Sequence, residues 1–291
     1  MSLPALFLSL CLIWGFTYVA LKIGLRHATP LTFTAARALV GGLALGACAM
    51  GATGRFPRDA ATHRASAVLG LTNVAAFWGL MNLGLTRISA GESSILTYTQ
   101  PLLVALLAWV WLGEALSARR IAGLLLGFVG VGAVVADKVS IGHPSWPGYV
   151  LTLGGALAWA IGTVYFRARQ ASLDLLWVTT LQAIYGAGPL AALALLLEGP
   201  VIRPSLELGW TVLYTGLGSS ALAYLIWFYL LRHRAAAEVG AYIFLVPFFA
   251  VLFGAVALGE RLGATALLGA GLILAGIYAV NRHETSIRSA C

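Results

Sequence analysis

The chain has 291 residues, of which 60% are apolar and only 10% are charged, and its mean hydropathy is +0.91. Soluble domains carry about 25% charged residues, so this composition excludes a soluble globular domain and indicates an integral membrane protein. The net charge of +8 has no soluble basic surface to carry it, so it does not predict a nucleic-acid partner. The three cysteines predict neither a disulfide framework nor a metal site.

Apolar stretches follow one another along the whole chain. Each is near or above the roughly 17 to 25 residues that cross the hydrocarbon core of a bilayer. They lie at about residues 4–25, 31–52, 65–86, 92–112, 118–136, 148–168, 175–197, 209–231, 237–258 and 262–281. We therefore predict an all-α membrane protein with ten transmembrane helices.

An internal repeat relates the two halves of the chain. Residues recur 146 positions apart in the pairs Glu92 and Glu238, Pro101 and Pro247, Glu114 and Glu260, Gly123 and Gly269, and Gly130 and Gly276. A second set, 145 positions apart, pairs Trp14 with Trp159, Lys22 with Arg167, and Arg37 with Gln182. We expect one repeat in residues 1–140 and another in residues 141–291. Because each would hold an odd number of crossings, the second repeat is expected to be inverted in the membrane.

Inverted repeats are typical of secondary transporters, in which two equivalent halves open one central cavity to either side by alternating access. The orientation follows from Lys and Arg, which are more frequent in cytoplasmic loops. Eleven lie on the side shared by both termini, six lie on the opposite side, and Arg37 lies within the second helix. We expect cytoplasmic termini and a multi-pass protein of the plasma (inner) membrane.

Several of these residues together are similar to a known family. In the first half these residues are, in chain order, Trp14-Gly15, Lys22, a segment from Pro30 to Arg37, and Leu112-Gly113-Glu114. Their counterparts in the second half are Trp159-Ala160, Arg167 and Leu258-Gly259-Glu260. This pattern resembles the drug/metabolite transporter superfamily, specifically its ten-helix EamA-type branch, over nearly the whole chain. The resemblance implies a ten-helix basket, a central cavity, and export of small metabolites, often amino acids. Within the branch we favour an exporter of the YddG type, which carries aromatic amino acids.

Arg37 breaks the symmetry of the repeat, because its counterpart is the neutral Gln182. A guanidinium at membrane depth is costly and normally faces protein or a wet cavity. One interpretation is an anchor for a substrate carboxylate. The alternative is a structural pairing with Glu92 or with loop carbonyls.

Two acids and two prolines are candidates for gating and hinge residues. Glu92 and Glu238 open the fourth and ninth predicted helices, where a carboxylate stabilises the helix dipole. A gating role is the alternative, since the two acids lie on opposite faces of the membrane. Pro101 and Pro247 lie near the middle of the same helices, where each removes a backbone donor and should kink the helix.

Aromatic residues near the middle of the spans are candidates for the cavity lining, because a mid-membrane indole requires a partner for its N–H group or a cavity. Polar residues three or four positions away share a helix face with them. The candidate set is Trp14, Thr17, Phe77, Trp78, Asn82, Tyr98, Gln100, Trp159, Thr163, Tyr224 and Tyr242. Such a lining suits a neutral or zwitterionic planar ligand, and ordinary helix packing is the alternative.

This interpretation implies a small-molecule substrate and the lipid bilayer as partners, with no catalytic residue, metal or cofactor. An exporter of cationic drugs is the nearest alternative, but it is expected to hold a mid-membrane carboxylate, and no Asp or Glu lies mid-span. An intramembrane lipid-handling enzyme needs a nucleophile with a base, and Ser219 and Ser220 have no His, Asp or Glu nearby in the sequence. Two GxxxG motifs, starting at Gly42 and Gly123, permit packing within the chain as well as dimerisation. Monomer and homodimer therefore both stay open.

Overall fold

A computed structural model of the protein describes residues 3–113, 118–140, 145–169, 173–233, 245–261 and 263–281. These residues form a succession of helices. In chain order they are α1 (Leu3–Gly24), α2 (Pro30–Thr53), α3 (Ala60–Leu85), α4 (Ala90–Leu112), α5 (Ala118–Ser140), α6 (Trp146–Arg167), α7 (Leu175–Glu198), α8 (Leu206–Leu213, Tyr214–Leu222 and Ala223–His233 in succession), α9 (Leu245–Leu258) and α10 (Ala264–Asn281).

Six of these helices, α1 to α4, α6 and α7, are long and apolar enough to cross a membrane. Shorter apolar segments lie at Ile121–Ala133, Leu245–Leu258 and Ala264–Gly276. Apart from one isolated bridge between Ala28 and Ile202, the described residues show no strand pairing. The protein is therefore all-helical, as predicted, and helices satisfy their backbone groups internally, as a bilayer requires. Ten crossings in two inverted halves stay a prediction.

Polar caps decide where some helices begin. Helix α3 starts at Ala60, ahead of the apolar stretch at residue 65, because the Asp59 carboxylate accepts a hydrogen bond from Thr62 N at 2.7 Å. Helix α4 starts with a capping box, in which Ser89 and Glu92 each accept a hydrogen bond from the other's backbone N–H. Glu92 therefore lies at a helix N-terminus, as predicted.

Helix α4 is interrupted near its middle. Its first segment ends at Thr97, Tyr98 and Thr99 form a turn, and the second segment begins at Gln100. Pro101 explains the break, because it has no N–H to donate and its ring clashes with the carbonyl of the residue four positions earlier. The equivalent segment before Pro247, including Tyr242 and Glu238, lies outside the described residues.

Three π-helical segments, which the sequence did not predict, lie among the described residues, and one of them, Ala194–Glu198, ends α7. The other two, Gly70–Ala76 in α3 and Tyr214–Leu222 in α8, lie at equivalent positions of the repeat. Their last residues, Ala76 and Leu222, are 146 positions apart. Such segments widen a helix locally and are frequent at functional sites. The segments of α3 and α8 are each followed directly by residues that line the central cavity described below.

Backbone contacts between helices also recur at the repeat spacing. A Cβ atom added to Gly130 in α5 would lie 2.6 Å from the carbonyl oxygen of Gly269 in α10. A Cβ atom added to Gly276 in α10 would lie 2.5 Å from the carbonyl oxygen of Gly123 in α5. The helices therefore touch through glycines at both crossings, and the GxxxG motif that begins at Gly123 serves packing within the chain.

The same relation holds between α3 and α7 and between α2 and α8. A Cβ atom on Gly186 would lie 2.6 Å from the carbonyl oxygen of Gly70, and one on Gly41 would lie 2.9 Å from that of Gly216. Gly70 and Gly216 are 146 positions apart, and Gly41 and Gly186 are 145 apart. Gly42, the start of the other GxxxG motif, faces α7, where a Cβ would lie 2.9 Å from the nearest side chain. Equivalent residues of the two halves thus make equivalent contacts.

We predict that Gly276→Ala destabilises the protein whereas Gly271→Ala does not. Both residues lie on α10, but a Cβ on Gly276 would strike the backbone of α5, and a Cβ on Gly271 would meet nothing within 4 Å. Overpacking of this kind typically lowers the free energy of unfolding by about 1–3 kcal/mol. Thermal unfolding of the two purified variants in the same detergent measures the difference. Equal melting temperatures would contradict the close α5–α10 contact.

Candidate functional site

A central cavity lies between the helices, next to the π-helical segments of α3 and α8 and the break in α4. Its lining consists of Trp14, Thr17, Tyr18, Arg37, Phe77, Trp78, Met81, Thr97, Tyr98, Trp159, Ser219 and Tyr224. The cavity measures about 60 Å³. This space holds a few water molecules, whereas ligand pockets typically occupy about 300–1,000 Å³. The helices must therefore move apart before a metabolite enters.

Most of the predicted cavity residues do lie in this lining. They are Trp14, Thr17, Phe77, Trp78, Tyr98, Trp159 and Tyr224, together with Arg37, and they come from both halves of the chain. Sequence reasoning missed Tyr18, Met81, Thr97 and Ser219. Helix periodicity indicates Tyr18 and Met81, since Tyr18 lies four residues from Trp14 and Met81 lies three residues from Trp78.

Three predicted cavity residues lie elsewhere, in contacts between helices. The Asn82 Nδ2 atom donates to Thr34 Oγ1 at 2.6 Å, so this amide joins α3 to α2. The Gln100 Nε2 atom donates to Thr163 Oγ1 at 3.0 Å and joins α4 to α6. These polar pairs replace the cavity contacts expected for Asn82, Gln100 and Thr163, because a buried amide in an apolar bundle requires a partner.

The aromatic lining residues pack against one another. Phe77 stacks on Trp159 with ring centroids 4.8 Å apart and planes within 7°. Tyr98 meets Trp159 edge to face at 6.2 Å. Trp14 meets Tyr224 edge to face at 6.0 Å. Such pairs contribute about 0.5–1.5 kcal/mol each beyond their buried area.

The cavity is built from positions that the repeat makes equivalent. Trp14 and Trp159 are 145 positions apart, and Trp78 and Tyr224 are 146 apart, and all four line the cavity. A ring on one half therefore has a ring on the other half as its counterpart.

Arg37 is the charged member of this lining and is only 3% exposed. Its Cζ atom lies 4.3 Å from the ring centroid of Trp78, and Nη2 donates a long hydrogen bond of 3.4 Å to Ser220 Oγ. The Nε and Nη1 atoms are buried and have no hydrogen-bond partner among the described residues. A charged side chain at a helix centre costs about 2.5–3.5 kcal/mol, and a cation–π contact contributes about 0.5–2 kcal/mol. The contacts that Arg37 makes therefore leave part of this cost unmet.

The counterpart of Arg37 makes a neutral contact instead. Gln182 accepts a hydrogen bond from Asn73 Nδ2 at 3.4 Å. Asn73 is itself 146 positions before Ser219, which is the neighbour of the Ser220 that accepts from Arg37. Position 37 and position 182 each contact a polar side chain of the other half, but only position 37 carries a charge.

Glu92 does not neutralise Arg37. Its carboxylate accepts hydrogen bonds from Ser89 N at 2.9 Å and from the Tyr149 hydroxyl at 3.0 Å. The alternative interpretation of Arg37 as an ion-pair partner of Glu92 is therefore wrong. Helix capping already engages this acid, so it does not extend to the cavity.

Glu260 closes one end of the bundle, which we call the Lys22 end because α1 reaches it at Lys22. The Glu260 carboxylate accepts hydrogen bonds from Ala90 N at 2.9 Å and Gly91 N at 3.3 Å, at the start of α4. Lys22 Nζ lies 3.7 Å from the same carboxylate. One acid thus joins α1, α4 and the segment after α9. The repeat of Gly113-Glu114 as Gly259-Glu260 was the sequence signal for this contact, and Glu114 lies outside the described residues.

A second pocket of about 350 Å³ opens beside this contact. Its lining consists of Lys22, Arg87, Ile88, Ser89, Glu92, Ser145, Tyr149, Glu260 and Arg261. Within the described part of the chain, no group of three or more His, Cys, Asp or Glu is arranged to hold a metal ion.

Comparison with known proteins identifies the family. The sequence model of the EamA-like transporter family matches residues 2–136 and again residues 146–282. The chain belongs to the EamA-like transporter family. It is 32% identical over 287 residues to an uncharacterized transporter, YvbV, of Bacillus subtilis (strain 168), and the match covers 97% of this chain and 92% of that protein. The members of this family, YvbV among them, are transporters rather than enzymes.

Other relatives agree with this assignment. The chain is 26% identical over 279 residues to a probable amino-acid metabolite efflux pump of Escherichia coli (strain K12), with 91% of this chain and 90% of that protein covered. A solved crystal structure superposes on 96% of this chain and 98% of its own with a TM-score of 0.68 at 21% identity. At this identity the similarity shows a shared fold. This EamA-like transporter is thus a multi-pass membrane protein that carries a small molecule.

We predict that Glu260→Gln opens the Lys22 end of this EamA-like transporter. The neutral amide weakens the charge-assisted hydrogen bonds to α4 and removes the ion pair with Lys22. A cysteine at Thr97, which is 1% exposed in the cavity, should then react at least about tenfold faster, as expected for the loss of one hydrogen bond to a charged group. The measurement uses otherwise cysteine-free protein in vesicles and an impermeant maleimide applied at the Lys22 face.

Glu207→Gln is the matched control for this experiment. Glu207 pairs with His27 at 2.6 Å and is half exposed, but it lies away from both pockets. It should leave the labelling rate unchanged. Equal rates in the Glu260 and Glu207 variants would show that the Glu260 contact does not control access.

Proposed function

We propose that the protein exports small metabolites that carry a carboxylate, amino acids among them, through the central cavity. The observation that supports this proposal is Arg37, a buried guanidinium whose Nε and Nη1 atoms have no hydrogen-bond partner in the part of the chain that the structure describes, in a cavity lined by aromatic rings. A carboxylate matches the planar fork of a guanidinium and satisfies it bidentately. A cationic drug would instead meet a positive charge there.

The relatives support the same class of substrate. Two of them, from Escherichia coli and Salmonella typhimurium, are named probable amino-acid metabolite efflux pumps, at 26% and 27% identity. The rings of Phe77, Tyr98 and Trp159 line the cavity together with Trp14 and suit an aromatic or otherwise apolar substrate body. Export of aromatic and other neutral amino acids is the version of this function that the sequence pattern favoured.

Alternating access is the mechanism we assign, with ten helices in two inverted halves, residues 1–140 and 141–291. Separation of α4 from Glu260 would open the Lys22 end, and the equivalent rearrangement in the other half would open the opposite end. Pro101 and Pro247 act as hinges in this scheme: Pro101 follows the break in α4, and Pro247 holds the equivalent position of the repeat. Glu92 stabilises the N-terminus of α4, and we assign the same role to its counterpart Glu238, which lies outside the described residues.

The orientation and driving force complete the proposal. The Lys22 end faces outward and both termini are cytoplasmic in the plasma (inner) membrane, since Lys and Arg are more frequent on the terminal side. Transport proceeds without an obligatory carboxylate relay, down the gradient of the substrate. A direct test is efflux of labelled amino acids from liposomes that contain the purified protein. Steady accumulation driven only by an imposed pH difference would refute the uncoupled mechanism.

Replacement of Trp78 by Ala should lower export of the preferred substrate, while Trp210→Ala should not. Trp78 lines the cavity and contacts Arg37, whereas Trp210 is 38% exposed and lies outside the cavity lining. The loss of one aromatic contact corresponds to about 0.5–1.5 kcal/mol, or roughly 2- to 13-fold in substrate affinity. Initial efflux rates normalised to membrane abundance measure the effect, and equal loss in both variants would argue against a role for the cavity rings.

The proposed topology predicts that Cys291 is inaccessible from outside the cell. An impermeant maleimide should label it only after the membrane is opened, because positively charged loops keep the terminal side cytoplasmic. The experiment uses spheroplasts and a variant in which Cys11 and Cys48 are replaced by Ser, so that Cys291 is the only cysteine of the three left. Prompt labelling of intact spheroplasts would reverse the assigned orientation.

A further inference from the structure

We infer that the cavity prefers organic monocarboxylate anions that lack an amino group over zwitterionic amino acids. This inference rests on the proposed function and specifies its substrate class. The binding partner it assigns is a carboxylate joined to an aromatic or apolar body. The ammonium group of an amino acid is then tolerated rather than recognised.

The charge of the cavity is the first observation behind this inference. Among the described residues, no acidic side chain lines the cavity, while Arg37 does. The phenols of Tyr18 and Tyr224 also line the cavity, and an ordinary phenol carries no charge at pH 7. The site therefore carries a charge of about +1. A monocarboxylate neutralises this charge. A zwitterion has no net charge, so the occupied site stays positive, and its ammonium group adds a second cation to a water-poor space.

The geometry of Arg37 is the second observation. Trp78 covers one face of the guanidinium at 4.3 Å, and Ser220 engages Nη2, so the group is held in place. The Nε and Nη1 atoms are buried and find no acceptor among the residues that the structure describes. A bound carboxylate would supply such acceptors, and buried donors left unsatisfied are otherwise destabilising.

Protein groups already engage part of the aromatic surface that could otherwise hold an ammonium group. Such a group requires an open ring face, and Phe77 and Trp159 cover one face of each other at 4.8 Å. Arg37 already occupies a face of Trp78. Trp14 packs against Tyr224 and against Trp227, whose ring centroid lies 5.8 Å from that of Trp14. The rings therefore stabilise an apolar body better than a second positive charge.

A consequence for the driving force follows from this charge selectivity. An interior-negative membrane potential expels an anion, and 100 mV corresponds to about a 50-fold concentration ratio for one charge. A zwitterion has no net charge, so the potential does not drive its net movement. Export of a monocarboxylate thus needs no proton relay, which agrees with acids that lie outside the cavity lining.

The test compares three ligands that share one body: 3-phenylpropionate, phenylalanine and phenethylamine. Binding to the purified wild-type protein at pH 7 is measured by calorimetry. We expect 3-phenylpropionate to bind at least about tenfold more tightly than phenylalanine, because the latter buries an unpaired ammonium. Phenethylamine, which has no carboxylate, should bind at least about tenfold more weakly than phenylalanine.

Variants of Arg37 connect the preference to the guanidinium. Arg37→Gln should weaken binding of 3-phenylpropionate by about 10- to 100-fold, the loss expected for hydrogen bonds to a charged group. Arg37→Lys should recover part of the affinity, since it keeps the charge but not the fork. Arg203→Gln is the matched control, because Arg203 is exposed on the connection between α7 and α8 and should leave binding unchanged.

Efflux from liposomes provides the second readout. An interior-negative potential, set with potassium and valinomycin, should accelerate release of 3-phenylpropionate but not of phenylalanine. Phenylalanine that binds as tightly as 3-phenylpropionate would overturn the inference and leave amino-acid export standing. The tightest binding by phenethylamine would overturn both the inference and the proposed carboxylate specificity. Binding of none of the three would also overturn the inference, whereas the amino-acid efflux assay would still decide the proposed function.

Discussion

The placement of one guanidinium in an apolar helix bundle constrains the rest of the site. Arg37 is held by Trp78 and by Ser220, but these contacts offset only part of the cost of a charge at membrane depth. The protein supplies neither a carboxylate nor further acceptors to it among the described residues. In our proposal a negatively charged ligand stabilises the cavity more than a neutral one of the same shape, and selectivity follows from the charge of Arg37.

The repeat explains how the cavity is formed and why it is asymmetric in charge. Glycine contacts at equivalent positions, such as Gly130 with α10 and Gly276 with α5, place the helices of both halves by the same packing. The π-helical segments of α3 and α8 and the ring pair Trp14 and Trp159 likewise recur. On this shared frame, position 37 carries Arg and position 182 carries Gln. A repeated scaffold suits a site that both ends share, and we propose that the difference between positions 37 and 182 sets the charge of the substrate.

Much of this arrangement was predictable from the sequence. Apolar length predicted the helices, Pro101 predicted the break in α4, and mid-span aromatic residues predicted most of the lining, because these features depend on local chemistry. The contacts that were missed depend on partners distant in sequence. Asn82 donates its amide Nδ2 to Thr34 in another helix, and Glu260 caps a helix that begins 170 residues earlier. The π-helical segments have no local signal that distinguishes them from ordinary helix.

The most direct measurement is an experimental structure of the protein with bound 3-phenylpropionate, which locates the carboxylate. The account places its oxygens at hydrogen-bond distance, about 3 Å, from Nε and Nη1 of Arg37, with the ring among the aromatic residues of the cavity. Density for the carboxylate beside Arg87 and Arg261 in the pocket at the Lys22 end, with the central cavity empty, would contradict it.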